Sequence, residues 1–215
     1  MDIVISNIPF FLKGAIVSLQ LTIVAMFFGI ILGLGIAVIR MKGVRPLQWF
    51  AQVYVSIIRG TPILVQIFIA YYGFPDVGIT LSPMASAYIV LSINVSAYLS
   101  ETFRGALLSV PKGQWEAASS LGLSPWQTFK RIILPQAARI AIPPMGNTFI
   151  GMLKETSLVS IVTVSDLLLR AQQVIAQYYG YTLLIYIEIA IMYWIMSTFF
   201  TAILNRVEAR LAKAY

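Results

Sequence analysis

Two stretches of this chain run longer without charge than a water-soluble fold tolerates: residues 14–39 carry no Asp, Glu, Lys or Arg, and residues 171–205 carry only Glu188. Shorter uncharged runs cover 60–75 and 77–100, and a further one, 140–165, is interrupted only by Lys154-Glu155. A helix needs about 20 largely apolar residues to cross a bilayer. The runs therefore predict an all-α, polytopic membrane protein with five spans, roughly 14–38, 50–73, 84–107, 138–162 and 181–204. Helices are required because lipid cannot satisfy an open strand edge, and no period-2 pattern suggests a barrel. Composition agrees, with 11% charged residues against roughly 25% in soluble domains.

The formal charge of +7 does not predict nucleic-acid binding, because the basic residues sit between apolar runs rather than on one face. They set topology instead. Arg40, Lys42, Arg45, Arg104, Lys112, Lys130, Arg131, Arg139, Arg206, Arg210 and Lys213 fall on one side of the five spans, against Lys13 and Arg170 on the other. The positive-inside rule then puts the N-terminus outside and the C-terminus in the cytoplasm. The first span lacks a basic leader and is too long for a signal peptide, so it is expected to be retained. The chain has no Cys and no His, which excludes disulfides, zinc sites built on those ligands and Ser-His-Asp catalysis; no metal site and no catalytic residue is expected.

The longest connection is the cytoplasmic one, 108–137, within a single transmembrane domain covering 1–215. Gln114–Leu121 reads as a short helix ended by Gly122, which suits a left-handed C′ position. Ser124 then fits an N-cap, with Pro125 at the first turn of a second helix whose Trp126, Phe129, Ile132 and Ile133 share a face. A helix–turn–helix at the membrane surface follows. It serves either as an amphipathic connector on headgroups or as a docking element, and the small residues Ala117, Ala118, Ser119 and Ser120 favour insertion into a protein groove.

The residues Glu116-Ala117-Ala118, Gly122, Ile132 and Leu134-Pro135 resemble the EAA loop of bacterial ABC importer permeases, each fixed position standing at that motif's spacing. Arg59-Gly60-Thr61-Pro62 with Leu64-Val65-Gln66, the Ser100–Gly105 segment and Lys154–Leu158 are similar to segments of the polar amino-acid branch, near histidine, arginine and glutamine permeases. The resemblance implies the type I importer permease fold in a bacterial inner membrane. It implies a separate cytoplasmic ATPase dimer that carries ATP and Mg²⁺, and an extracellular substrate-binding protein. No cofactor is expected on this chain, which lacks a G-x-x-x-x-G-K-[ST] loop and so does not hydrolyse ATP by that route. A thin five-span path implies a dimer, with a second copy or a paralogue. The Gly29-x3-Gly33 pair is compatible with close helix contact.

Polar groups inside spans are costly and mark candidate substrate contacts. Asn94, Tyr98 and Glu101 share a face of the third span, where Glu101 either lines the path or neutralises Arg104. Ser18, Gln20 and Thr22 offer neutral donors in the first span, unless they bond their own backbone. Lys154 and Glu155 are expected well inside the fourth span on different faces, Glu155 as a candidate for the path and Lys154 as a candidate partner of a neighbouring carboxylate, and Glu188 serves packing or substrate. Arg59, Gly60 and Pro62 form a helix-breaking cluster that acts as a gate or hinge, or as a kink with a snorkelling Arg. The carboxylates Glu101, Glu155 and Glu188 outnumber Arg59 and Lys154 in the spans, a lean toward a basic amino acid. A self-sufficient secondary amino-acid transporter is the competing class, but it calls for a repeated half that is not visible here.

Overall fold

The computed structural model describes residues 2–212, with side chains from residue 6 on; Met1 and Lys213, the last of the basic residues used for topology, lie outside the described residues. Every regular element among the described residues is helical. Helix α1 (Asp2–Lys42) is followed by α2 (Arg45–Gly60), α3 (Ile63–Phe68), α4 (Pro83–Leu108), α5 (Lys112–Ser120), α6 (Pro125–Thr128), α7 (Leu134–Glu155), α8 (Leu167–Gln177) and α9 (Thr182–Ala212).

Among the described residues, two unbroken helices are long and apolar enough to cross a membrane by themselves, Ser6–Lys42 and Tyr179–Ala212. Both overrun the expected spans 14–38 and 181–204. At 1.5 Å per residue, α1 is about 60 Å long, twice the hydrocarbon thickness, so one end projects or the helix tilts.

The expected span 50–73 is not one helix. It is α2 followed by α3, a π-helical turn and a 3₁₀ turn reaching Val77, and the two halves meet at 105°. The cause is local. A residue before proline is driven out of the helical region, and Thr61, before Pro62, is extended at φ −116°, ψ 141°. The fourth expected span, 138–162, corresponds to α7 and the 3₁₀ turn Thr156–Val162, which then bends by 50° into α8. Helix α8 lies in the stretch 163–180 that the expected spans leave as a connection. Asp166 starts it as N-cap, its Oδ1 accepting from Leu169 N at 2.9 Å.

Helix α4 carries several serines and Asn94, and it is the most buried helix because it sits at the centre. Its main partner is α1. The seam is set by Gly29 and Gly33: a Cβ on Gly33 would stand 3.0 Å from Ser96 O and 3.1 Å from Leu99 Cβ, and one on Gly29 would clash with Val95 Cγ1. The glycine pair that the sequence offers for helix contact is thus used within the chain. Ser96 and Ser100 hydroxyls on this face donate to Ile93 O and Ala97 O, so their burial leaves no orphan donor. A second, smaller core joins Phe11 and Ala15 of α1 to α8 and to Ile185 and Ile189 of α9. Large apolar side chains of α1 and α9, including Phe27, Phe28, Ile31, Trp194, Ile195 and Phe199, stay exposed, as lipid-facing surface does.

Candidate functional site

Two regions gather the singled-out residues, the turn after α5 and the break between α2 and α3. In the first, α5 ends in a Schellman motif. Gly122 N donates to Ser119 O at 3.0 Å and Leu123 N to Ala118 O at 3.1 Å. Gly122 holds φ +76°, a conformation that costs a Cβ-bearing residue about 1 kcal/mol or more. Ser124 completes a capping box with Gln127: Gln127 N donates to Ser124 Oγ (3.3 Å) and Ser124 N to Gln127 Oε1 (3.0 Å). The turn is therefore fixed at both ends. Ala118 packs inward, while Glu116, Ala117 and Leu121 face out, Leu121 being 80% exposed.

The second helix does not end as a separate short element. Helical backbone runs from Pro125 without a break to Val162, so α6 and α7 form one rod. Phe129–Ile133 is a π-helical turn, with Leu134 N–H reaching back to Phe129 O. Pro135 follows directly and has no N–H to give a regular ladder. Of the expected apolar face, Ile133 is fully buried, Phe129 and Ile132 are partly buried, and Trp126 is 68% exposed. Leu134 and Pro135 are exposed. Gln136 Nε2 donates to Gln114 Oε1 at 3.4 Å and ties the rod back to α5.

At the second region, the 105° break leaves the last carbonyls of α2 without helical partners. Thr61 Oγ1 donates to Ile57 O at 2.9 Å, and the Gln66 amide donates to Ile58 O at 2.8 Å, Thr61 O at 3.1 Å and Thr61 Oγ1 at 2.9 Å. Gln66 Oε1 in turn accepts from Asn94 Nδ2 at 3.2 Å, which fastens the break to α4. Tyr54 donates to Ile93 O at 2.9 Å and meets Ser96 Oγ at 2.7 Å one turn earlier on α2.

Below this clamp, Glu101 is surrounded by arginine. Arg40 Nη1 lies 2.5 Å from Oε1, Arg104 Nη2 and Nε lie 2.7 and 3.0 Å from Oε2, and Arg59 Nη1 is 3.8 Å from Oε1. The Arg59 guanidinium also stands 5.2 Å from the centre of the Tyr98 ring. One carboxylate thus joins α1, α2 and α4. Its charge is matched by neighbours rather than left for a ligand.

The fold thus brings Asn94, Tyr98, Glu101, Arg59, Gly60 and Pro62 together, and leaves the other candidates elsewhere. Thr22 Oγ1 donates to Ser18 O at 2.9 Å. Ser18 is fully buried and its Oγ accepts from Leu167 N at 3.4 Å, at the start of α8. Gln20 donates to Tyr88 OH at 2.6 Å. Lys154 and Glu155 are exposed at the end of α7. Both carboxylate oxygens of Glu188 are covered by α9 and its surroundings, with no hydrogen-bond partner. Sequence reasoning missed Gln66 as a clamp, Arg40 as an ion-pair partner and Asp166 as a buried cap. Asp166 stands directly before the apolar run Leu167–Leu169, a readable N-cap signal.

Residues 25–213 match the family of binding-protein-dependent transport system inner membrane components. The chain belongs to this family. The inner membrane component is 48% identical over 203 residues to the L-cystine transport system permease protein TcyB of Bacillus subtilis (strain 168), covering 94% of this chain and 87% of the relative. It is 35% identical over 206 residues to the glutamine transport system permease protein GlnP of Escherichia coli (strain K12), covering 95% and 94%. Its fold superposes with a TM-score of 0.91, at 35% identity and 96% coverage of both chains, on a solved amino acid ABC transporter with histidines.

Proposed function

We propose that this inner membrane component is the multi-pass permease of an ATP-driven importer for a polar amino acid, working by alternating access. Family membership and the amino-acid systems named for the relatives support the class. The observation that carries the mechanism is the exposed α5 turn, capped at Gly122 and continuous through α6 with a helix of the bundle. A cleft on a partner ATPase subunit receives Glu116–Gly122. ATP-driven closure of two ATPase subunits draws two such turns together and rocks the bundles of two permeases, identical or paralogous. ATP and Mg²⁺ belong to the ATPase, and an external binding protein delivers the amino acid.

In this reading five helical passages cross the membrane with the N-terminus outside, α2–α3 being one broken span whose Gly60–Pro62 joint is the hinge. Tyr98 and Arg59 border the path, being partly exposed beside that joint. Glu155 is the path carboxylate at the far end of α7. Ser18, Thr22, Asn94 and Glu101, engaged within the chain, act as structural supports. Glu101 no longer counts toward a cationic substrate, because three arginines face it. A lean toward basic amino acids then rests on Glu155 and Glu188 alone, and neutral polar amino acids stand beside them.

The test is reconstitution with the cognate ATPase in liposomes, with uptake of cystine, glutamine, histidine and arginine read beside ATP hydrolysis. Glu116→Lys and Gly122→Asp are expected to abolish coupled uptake while membrane insertion persists. Uptake that continues without ATPase, or is indifferent to both changes, refutes the proposal and favours a secondary transporter.

A further inference from the structure

On the side marked by the basic residues, an apolar cavity of about 530 Å³ opens between the end of α1, the end of α4 and the α5–α6 turn. Its walls include Val38, Leu107, Trp115, Trp126 and Phe129, and two lysines, Lys42 and Lys112, are among its lining residues. Lys42 Nζ lies 5.7 Å from the centre of the Phe129 ring, and the Trp126 and Phe129 rings stack at 6.0 Å. A second cavity of about 310 Å³ shares Val38, Leu107 and Phe129 with the first, then continues between α1, α4 and α7 past Leu134 and Ala138 to Met145. It carries no ionisable side chain among its lining residues. The two form one groove, charged and aromatic at the mouth and wholly apolar beyond it. The exposed stripe Phe27, Ile31, Leu34 and Val38 of α1 carries the same apolar surface away from the mouth.

This gradient matches one molecule well. An acyl chain satisfies the apolar length, and a phosphate satisfies two lysines at the depth where indole rings also settle. Basic pockets between helices on the cytoplasmic side attract anionic headgroups. We propose that the groove holds one anionic phospholipid, with its acyl chains along α1, α4 and α7 and its phosphate between Lys42 and Lys112. The lipid is then a structural wedge beneath the α5 turn, filling space that protein side chains leave open. The inference rests on the membrane reading alone and is independent of what is transported.

The experiment is native mass spectrometry of the full chain in detergent, titrated with dioleoyl phosphatidylglycerol or with dioleoyl phosphatidylcholine. One phosphatidylglycerol is expected to be retained per chain, at least about tenfold more tightly than phosphatidylcholine, and not displaced by inorganic phosphate. The Lys42→Ala/Lys112→Ala double variant is expected to bind both lipids alike, whereas Ala138→Phe, which fills an exposed position of the groove, lowers retention of both. Equal retention of the two lipids by the unaltered chain overturns the proposal, and that result needs no variant to fold. So does unchanged phosphatidylglycerol binding in both variants. A concentration-dependent blue shift of tryptophan fluorescence in lipid-free micelles, lost on Trp115→Phe/Trp126→Phe, would assign the groove to a second copy instead.

Discussion

Replacing Glu101 by Gln keeps the shape of the side chain and removes the charge that three arginines share. The Arg40 arm dominates the expected loss, because the two side chains are only 13% and 23% exposed. Removing one partner of a buried pair costs about 3–5 kcal/mol, and the partial exposure here points to the lower end, about 3 kcal/mol. Arg104 is 36% exposed and one turn away, so its arm adds about 0.5 kcal/mol. Arg59, at 3.8 Å and 44% exposed, adds less, about 0.3 kcal/mol. The sum approaches 4 kcal/mol. For a chain of this size each kcal/mol moves Tm by about 2–4 °C, so Glu101→Gln is expected to melt about 8–15 °C lower in detergent, followed by tryptophan fluorescence. Arg40→Gln alone loses a similar amount. The double variant recovers at least about 2 kcal/mol of the summed losses, because it no longer strands the Arg40 charge. A shift below about 3 °C, or strict additivity of the two changes, refutes the assignment of Glu101 as the joint between α1 and α4.

Two further changes test the backbone geometry. Gln66→Leu removes the donors that cover Ile58 O and Thr61 O, and should cost about 1–3 kcal/mol. Faster amide exchange confined to residues 57–66 is the expected sign, and unchanged exchange there rules the clamp out. Gly33→Leu drives a side chain into Ser96 and Leu99, lowering stability by about 1–3 kcal/mol. Gly35→Ala, which meets nothing within 4 Å, serves as the control and should gain slightly in helix propensity. Equal Tm changes of the same sign in these two variants would exclude a tight α1–α4 seam.

What sequence could and could not announce here follows from the range of each interaction. Gly122, Ser124, Pro125 and Gln127 act within a few residues of one another, so the capped turn was readable from turn chemistry. Thr61-Pro62 announced a break, but neither its 105° nor the contact of Gln66 with Asn94, 28 positions apart, that fastens it to α4. Arg40 and Glu101 are 61 residues apart. Hydropathy assigned one to a loop end and the other to a span, and only the packing of α1 on α4 joins them. Helix α8 was hidden for a different reason. It is short and it bends away from α7, so runs of uncharged residues do not mark it.

The unbroken helical path from Pro125 to Glu155 is about 46 Å of rod at 1.5 Å per residue. A rod of that length works as a crank: turning it by 10° about its Pro125 end carries the Glu155 end through about 8 Å of arc. In the proposed importer, rearrangement on that scale at one face of the membrane therefore needs no large motion at the other. About 10° of rotation suffices, delivered where the Ser124 and Gly122 caps fix the turn.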